Sequence, residues 1–367
     1  MDSVKKTALF DVHEKLGGKI IDFAGWSLPV QYEGIVEEHE AVRNAAGIFD
    51  VSHMGEVEVK GKDAFAFVQN LVTNDVATLE DHQVLYGMMC YEDGGVVDDL
   101  LVYKFNQDFF YLVINASNIN KDYAWMLEQS KGYDITLENM SSQVSEVAIQ
   151  GPLAQEILQK VVDVNLDDIK FFYCNRNVTV AGAKCLVSRT GYTGEDGFEI
   201  YSENKDIVKI WEALMEVGKD MGLKPAGLGC RDTLRFEAAL PLYGNELSKD
   251  ITPLEAGLGF FVKLGKESFI GKEALVAQKE AGLPRKTVGF EMEKGIPRHG
   301  YDVVVDDKVV GMVTTGYFSP TLKKNIGLAL VDASYAEMGG ALGIQVRKKV
   351  LPATICSKRF YQKNYKK

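Results

Sequence analysis

Apolar and polar positions change period several times along the chain, and each change marks an element. The stretch 86–101, YGMMCYEDGGVVDDLL, reads as strand, tight turn, strand. Gly94-Gly95 supplies the turn, because adjacent glycines accept the positive φ values of a short hairpin loop. Beyond it, Asp98 and Asp99 interrupt an apolar run of Val96, Val97, Leu100, Leu101 and Val102. Side chains alternate faces along a strand, so the two carboxylates point in opposite directions. One reaches water or a partner, and the other faces the interior. A carboxylate among apolar residues is costly unless it is paired, hydrogen-bonded or protonated. From this stretch alone, a surface Asp beside one satisfied by backbone amides explains the pattern as well as a functional pair does.

The remaining pattern predicts a mixed α and β chain. Residues 35–46 carry Ile35, Val42 and Ala46 along one helical side, with Gly47 as the C-cap. Residues 56–59, EVEV, alternate and predict a strand with one wet face. Further helices are expected over 63–72, 120–129, 206–218 and 227–238. Further strands are expected over 109–114, 144–149, 178–180, 184–189 and 198–201. Gly151-Pro152 opens another helix, with proline at its first position. At 281–284, AGLP, composition shifts and a linker is expected. Short apolar runs then recur at 288–292, 303–305, 309–314, 326–331, 344–347 and 353–356. Such spacing predicts a small barrel or jelly roll. The expected division is therefore 1–280 and 285–367.

Composition removes whole classes of function. A net charge of −11 over 367 residues argues against non-specific nucleic-acid binding. No apolar run is long enough to span a membrane, and no signal or transit peptide is expected. The five cysteines include no C-x-x-C pair, which points to a reduced, cytoplasmic protein. The five histidines are scattered without H-E-x-x-H spacing, so no metal site is expected. Residues 347–367 carry eight basic side chains and no acidic one. They form either a solvated arm or a docking face for an anionic partner or ligand tail.

Several side chains are candidates for binding. In GYTGEDGFE, Gly191, Gly194 and Gly197 let the backbone approach a ligand closely. Glu199 can present two acceptor oxygens to a heterocycle with adjacent N–H donors, although local pattern reads first as a solvent-facing strand residue. Arg231 can clamp a carboxylate or pair with its helical neighbours. Asn115 offers a donor and an acceptor, and Tyr86 and Tyr111 offer flat rings for stacking. His53 reads as structural.

Taken together and in order, FDVHEKLGGKIIDFAGWSLPVQY, AGIFDVSHMGEV, GGVVDDLLVY, RTGYTGEDGFEIY, GLGCRDTLRFEAALPLYGNEL and TPLEAGLGFFV resemble the T-protein, or aminomethyltransferase, family of the glycine cleavage system. The resemblance runs from about residue 7 to the C-terminus. It implies an α+β, three-lobed fold around a folate channel, with a barrel-like C-terminal lobe. It implies that an aminomethyl group on lipoylated H-protein gives its methylene to tetrahydrofolate, releasing ammonia. It implies Asp99 as the critical carboxylate. Met54, Tyr86, Tyr111, Asn115, Tyr192, Glu199, Arg231 and Tyr365 match folate-site positions. Two alternatives stay open here: another folate-dependent demethylase of the superfamily, and a non-catalytic folate-binding factor for iron–sulfur assembly.

Overall fold

The hairpin is the strands Val84–Cys90 and Val96–Asn106, in a register that sets Met88 opposite Asp99 and Met89 opposite Asp98. The computed structural model describes residues 4–366. Of the two turn glycines only Gly94 has a positive φ, 88°. Gly95 is required for a different reason. A Cβ there would lie 1.9 Å from the Lys249 carbonyl oxygen, so the turn packs against a distant loop.

Phe109–Ile114, Gly55–Lys60 and Thr136–Asn139 extend this hairpin into a five-stranded sheet. Strand alternation divides its faces. Phe110, Leu112 and Ile114 pack with Phe67, Val68 and Leu71 of the helix Ala64–Leu71 and with Met126 of Ile119–Gln129. Tyr111 and Val113 face the other way, towards Tyr201 of a second, six-stranded sheet. That sheet runs Cys174–Val180, Ala183–Ser188, Gly197–Glu203, Val144–Gln150, Ala46–Asp50, Leu223–Pro225. Its far face is covered by the helix Ile207–Gly218, which buries Ile207, Ile210, Trp211 and Leu214 at i, i+3, i+4 and i+7. The two sheets thus present their inner faces to one another, and the space between them is where a ligand can sit.

The six strands from Arg285–Met292 to Lys349–Cys356 close into a barrel with its own core, including Phe290, Val313 and Ile344. The barrel is locked to the helix Leu228–Glu237 through buried Arg235. Its guanidinium donates to Asp232 at 2.7 Å, Glu246 at 2.8 Å and the barrel hydroxyl of Thr315 at 3.1 Å. Residues 357–366 then return to the larger region. The Asn364 amide donates to Gly194 O, and the Asp196 amide donates to Asn364 O.

Three local expectations need correction. The helix Ile35–Asn44 stops before Gly47, which lies inside the strand Ala46–Asp50 and is no C-cap. Pro152 lies in a turn ahead of Ala154–Gln159 rather than at its first helical position. The strand Gly55–Lys60 has no wet face at Glu56: that side chain is completely buried between the sheets, and neither carboxyl oxygen has a hydrogen-bond partner. Burial alone pushes its proton affinity far above the usual carboxylate range. Alternation identified the face correctly but not what covers it.

Candidate functional site

A cavity of about 480 Å³ opens between the two sheets. Strand alternation aims Tyr86, Asp99, Leu101 and Val113 into it from one side and Glu146, Glu199 and Tyr201 from the other. The helix Leu228–Glu237 contributes Arg231, and the following loop contributes residues 239–243. Lys363 and Tyr365 reach it from the returning tail, while the barrel contributes no lining residue. A more open hollow of about 420 Å³ lies elsewhere, lined in part by Asp75 and Lys266. The Lys266 ammonium there already donates to three backbone carbonyls.

The two aspartates do diverge, Asp98 into the protein and Asp99 towards the cavity. Asp98 is completely buried and accepts from the Asn115 amide N–H at 3.1 Å, Asn115 Nδ2 at 2.9 Å and Asn118 Nδ2 at 2.8 Å. Behind it, buried Asp122 is pushed up to about 10 by burial and then by Asp98, against the pull of the Lys121 ammonium 3.0 Å away. Asp99 faces the cavity. Tyr86 Oη donates to its Oδ2 at 2.9 Å, and Asn115 Nδ2 to its Oδ1 at 2.8 Å. Each oxygen is therefore held, and the carboxyl plane is set before any ligand arrives. Burial, and then the charge of Asp98, raise Asp99 to about 7, against the pull of Tyr86 and Asn115.

The other expected site residues divide into groups. Met54, Tyr192, Glu199, Arg231 and Tyr365 line the cavity. The Tyr192 hydroxyl donates to the Pro241 carbonyl, and the Arg231 guanidinium lies 4.7 Å from the Tyr192 ring centroid. Among the described residues no carboxylate lies within ion-pairing distance of Arg231, although its neighbours Arg235 and Glu237 are fully engaged. A cation left free beside a cavity is an anion or carbonyl receptor. Glu199 is buried, not solvent-facing, and accepts from the Thr190 hydroxyl. Tyr365 stacks on Phe171, with centroids 4.5 Å apart. Asn115 and Tyr86 touch the cavity too, but the Asn115 side-chain nitrogen and the Tyr86 hydroxyl are committed to the aspartates, so they position as much as they bind.

Tyr111 does not reach the cavity. It is buried one layer behind, edge-on to Tyr103 and Tyr201 with centroids 6.1 Å away in both cases. The loop glycines make room for protein as well. A Cβ at Gly191 or Gly197 would fall within 2.5 Å of the Gln150 side chain, while Gly191 also lines the cavity. His53 lines the cavity with Nδ1 unpartnered, and burial lowers it to about 4, which keeps it neutral.

Sequence reasoning missed Glu146, Phe171, Phe261 and Lys363 as lining residues. For Glu146 the signal was present. It is an acid in the apolar strand VSEVAIQ, the same anomaly that singled out Asp98 and Asp99.

Residues 9–266 match the family described as the GCVT N-terminal domain, and residues 285–362 match the glycine cleavage T-protein C-terminal barrel domain. The chain is 66% identical to an aminomethyltransferase of Alkaliphilus oremlandii, over all of both chains. It is 64% identical to one from Thermoanaerobacter pseudethanolicus and 59% identical to one from Clostridium botulinum, again over all of both. The crystal structure of glycine cleavage system aminomethyltransferase T from Bartonella henselae superimposes with a TM-score of 0.93 at 30% identity, covering all of both chains. A cavity between two sheets, backed by a separate barrel, is in this company the fold of a group-transfer enzyme. The chain belongs to the glycine cleavage T-protein family, and its activity is aminomethyl transfer in the glycine cleavage system.

Proposed function

We propose that the central cavity binds tetrahydrofolate with the pterin edge on Glu199, and that Asp99 faces the one-carbon unit delivered on the lipoyl arm of H-protein. Cavity size is consistent with this: about 480 Å³ is within the roughly 300–1,000 Å³ of small-molecule sites. So is its chemistry. Tyr192, Phe171 and Phe261 offer flat apolar walls, Glu199 offers acceptors, and Arg231 is a cation beside the Tyr192 ring with no carboxylate in ion-pairing distance among the described residues. Tetrahydrofolate supplies the nucleophilic nitrogens that take up the one-carbon unit.

The observation that carries the reading is the fixed carboxyl of Asp99. Positive charge develops on the carbon being transferred. A carboxylate already oriented in a water-poor cavity opposes that charge without reorganising, and so lowers the barrier more than it strengthens binding. Glu199 and the aromatic walls act earlier, by holding the ring in one orientation. The donors around Asp98, from Asn115 and Asn118, keep it in place behind Asp99.

Glu199→Ala is expected to weaken tetrahydrofolate binding by about 10- to 100-fold in calorimetry, from the loss of charge-assisted hydrogen bonds. Unchanged affinity removes Glu199 from the site.

Free thiols at all five cysteines support a reducing, cytoplasmic setting. Among the described residues no helix is long and apolar enough to cross a membrane. Docking of the acidic carrier is assigned to exposed Lys348, Lys349 and Arg359, at the two ends of the strand Lys349–Cys356. Lys358 is turned inward towards the Ala256 carbonyl and is left out. Lys349→Glu with Arg359→Glu should raise KM for H-protein and flatten its salt dependence. Wild-type values in both measurements would dismiss that assignment.

A further inference from the structure

We propose, resting on the folate reading, that Glu146 is a second reader of the ligand ring: a neutral carboxyl that donates to a ring acceptor beside the N–H groups taken by Glu199. Register places the two side by side. Tyr201 pairs with Glu146, and Glu199 pairs with Ala148, so Glu146 and Glu199 are diagonal neighbours on the cavity face of adjacent strands. Glu146 is only 2% exposed, and its Oε2 has no hydrogen-bond partner. An orphaned carboxyl oxygen at a cavity wall is a cost that a ligand can remove.

The surroundings decide which form it takes. Burial first, then the nearby charges of Glu199 and Glu56, drive Glu146 well above the usual carboxylate range. Arg231 and the Tyr201 hydroxyl pull the other way without offsetting them. At Glu199 burial also raises, but the Thr190 hydroxyl and Arg231 oppose it directly. Both acids are raised, and Glu146 the further, because Glu199 accepts from the Thr190 hydroxyl while Oε2 of Glu146 has no partner. A neutral carboxyl has one O–H to give. A 2-amino-4-oxo ring carries acceptors flanking its adjacent N–H donors, which is the complement of this pair. No bond is made or broken by Glu146.

The test uses Glu146→Leu and Glu146→Gln in the full chain. In calorimetry, Glu146→Leu should bind tetrahydrofolate at least about tenfold more weakly, with a larger change in KM than in kcat. Its thermal midpoint should be equal or higher, because an apolar side chain replaces an unsatisfied carboxyl. Glu146→Gln keeps a donor and should stay within about threefold of wild type. Infrared difference spectra between the ligand-free wild type and each variant at neutral pH should contain a protonated-carboxyl band belonging to Glu146, over the absorption that Glu56 and Asp122 keep in all three. Wild-type affinity in Glu146→Leu, absence of that band, or equal loss of binding in both variants overturns the proposal. If Glu199→Ala weakens binding and Glu146→Leu does not, only Glu146 is misassigned. If neither does, the folate reading itself fails.

Discussion

Asp99→Asn is expected to lower kcat about a thousandfold, or ~4 kcal/mol of transition-state stabilisation. The substitution keeps the shape but removes the charge; its oxygen can still accept from Asn115 Nδ2, and its NH2 is satisfied once the Tyr86 hydroxyl turns to accept. Tyr86 and Asn115 already fix the carboxyl, so little rearrangement should follow. Tetrahydrofolate affinity should change by less than about threefold, because the charge is needed most where positive character develops on carbon. Equal losses in affinity and kcat would make Asp99 a binding group only. A pH profile adds an independent reading. Asp99 is raised to about 7, so the ligand-free enzyme gains the required carboxylate only as pH rises through that value. Wild-type kcat/KM should therefore fall on the acid side of neutrality. The linkage to stability has the opposite sense. A raised acid contributes stability that is present below the ordinary Asp pKa and is lost as pH rises through the folded value. Asp99→Asn should accordingly be more stable than wild type above pH about 7, although nearly inactive.

Arg235→Met should cost about 3–5 kcal/mol, a large part of the roughly 5–15 kcal/mol that holds such a chain folded. The guanidinium is completely buried and ties Asp232, Glu246 and Thr315 together across the helix–barrel boundary. Without it, Glu246 remains a buried charge with only the hydroxyls of Thr314 and Thr315 and the Leu242 amide to satisfy it. Because residues 240–243 line the cavity, tetrahydrofolate affinity should fall as well. Adding Glu246→Leu removes the stranded charge and should restore much of the lost stability, measured as the urea midpoint. A single-variant loss under about 1 kcal/mol would mean that the network is bridged by water instead.

The elements most legible in the sequence were those whose evidence is local. Phe109–Ile114 and the helix Ile207–Gly218 follow directly from periodicity, and the barrel from short strands after residue 284. The short strand Leu223–Pro225 went unseen because three residues are too few to express a period. Errors clustered where meaning depends on the neighbour. Glu56 alternates like a surface residue, yet a second sheet closes over it. Tyr111 is spaced like a site residue, yet Tyr201 stands between the sheets where a ligand would have to reach it. The charge of the tail left a solvated arm and a docking face both open, and only the fold pins residues 363 and 365 into the cavity wall, by backbone bonds from residue 364.

From sequence alone came the strands, the family, and the fact that two acids in an apolar run must be accounted for. Which acid faces the cavity was decided only by tertiary structure. Alternation dictates that Asp98 and Asp99 part company, but it is silent on what waits on each side. Asn118 and the Asn115 amide, 17 to 20 residues downstream, close one side, and the second sheet stands off to leave a cavity on the other. The same separation turned Glu146 from one more acid in a strand into a carboxyl facing Glu199. Burial, and with it the charge state on which the chemistry rests, is a property of what packs against a residue and not of the residue's own segment.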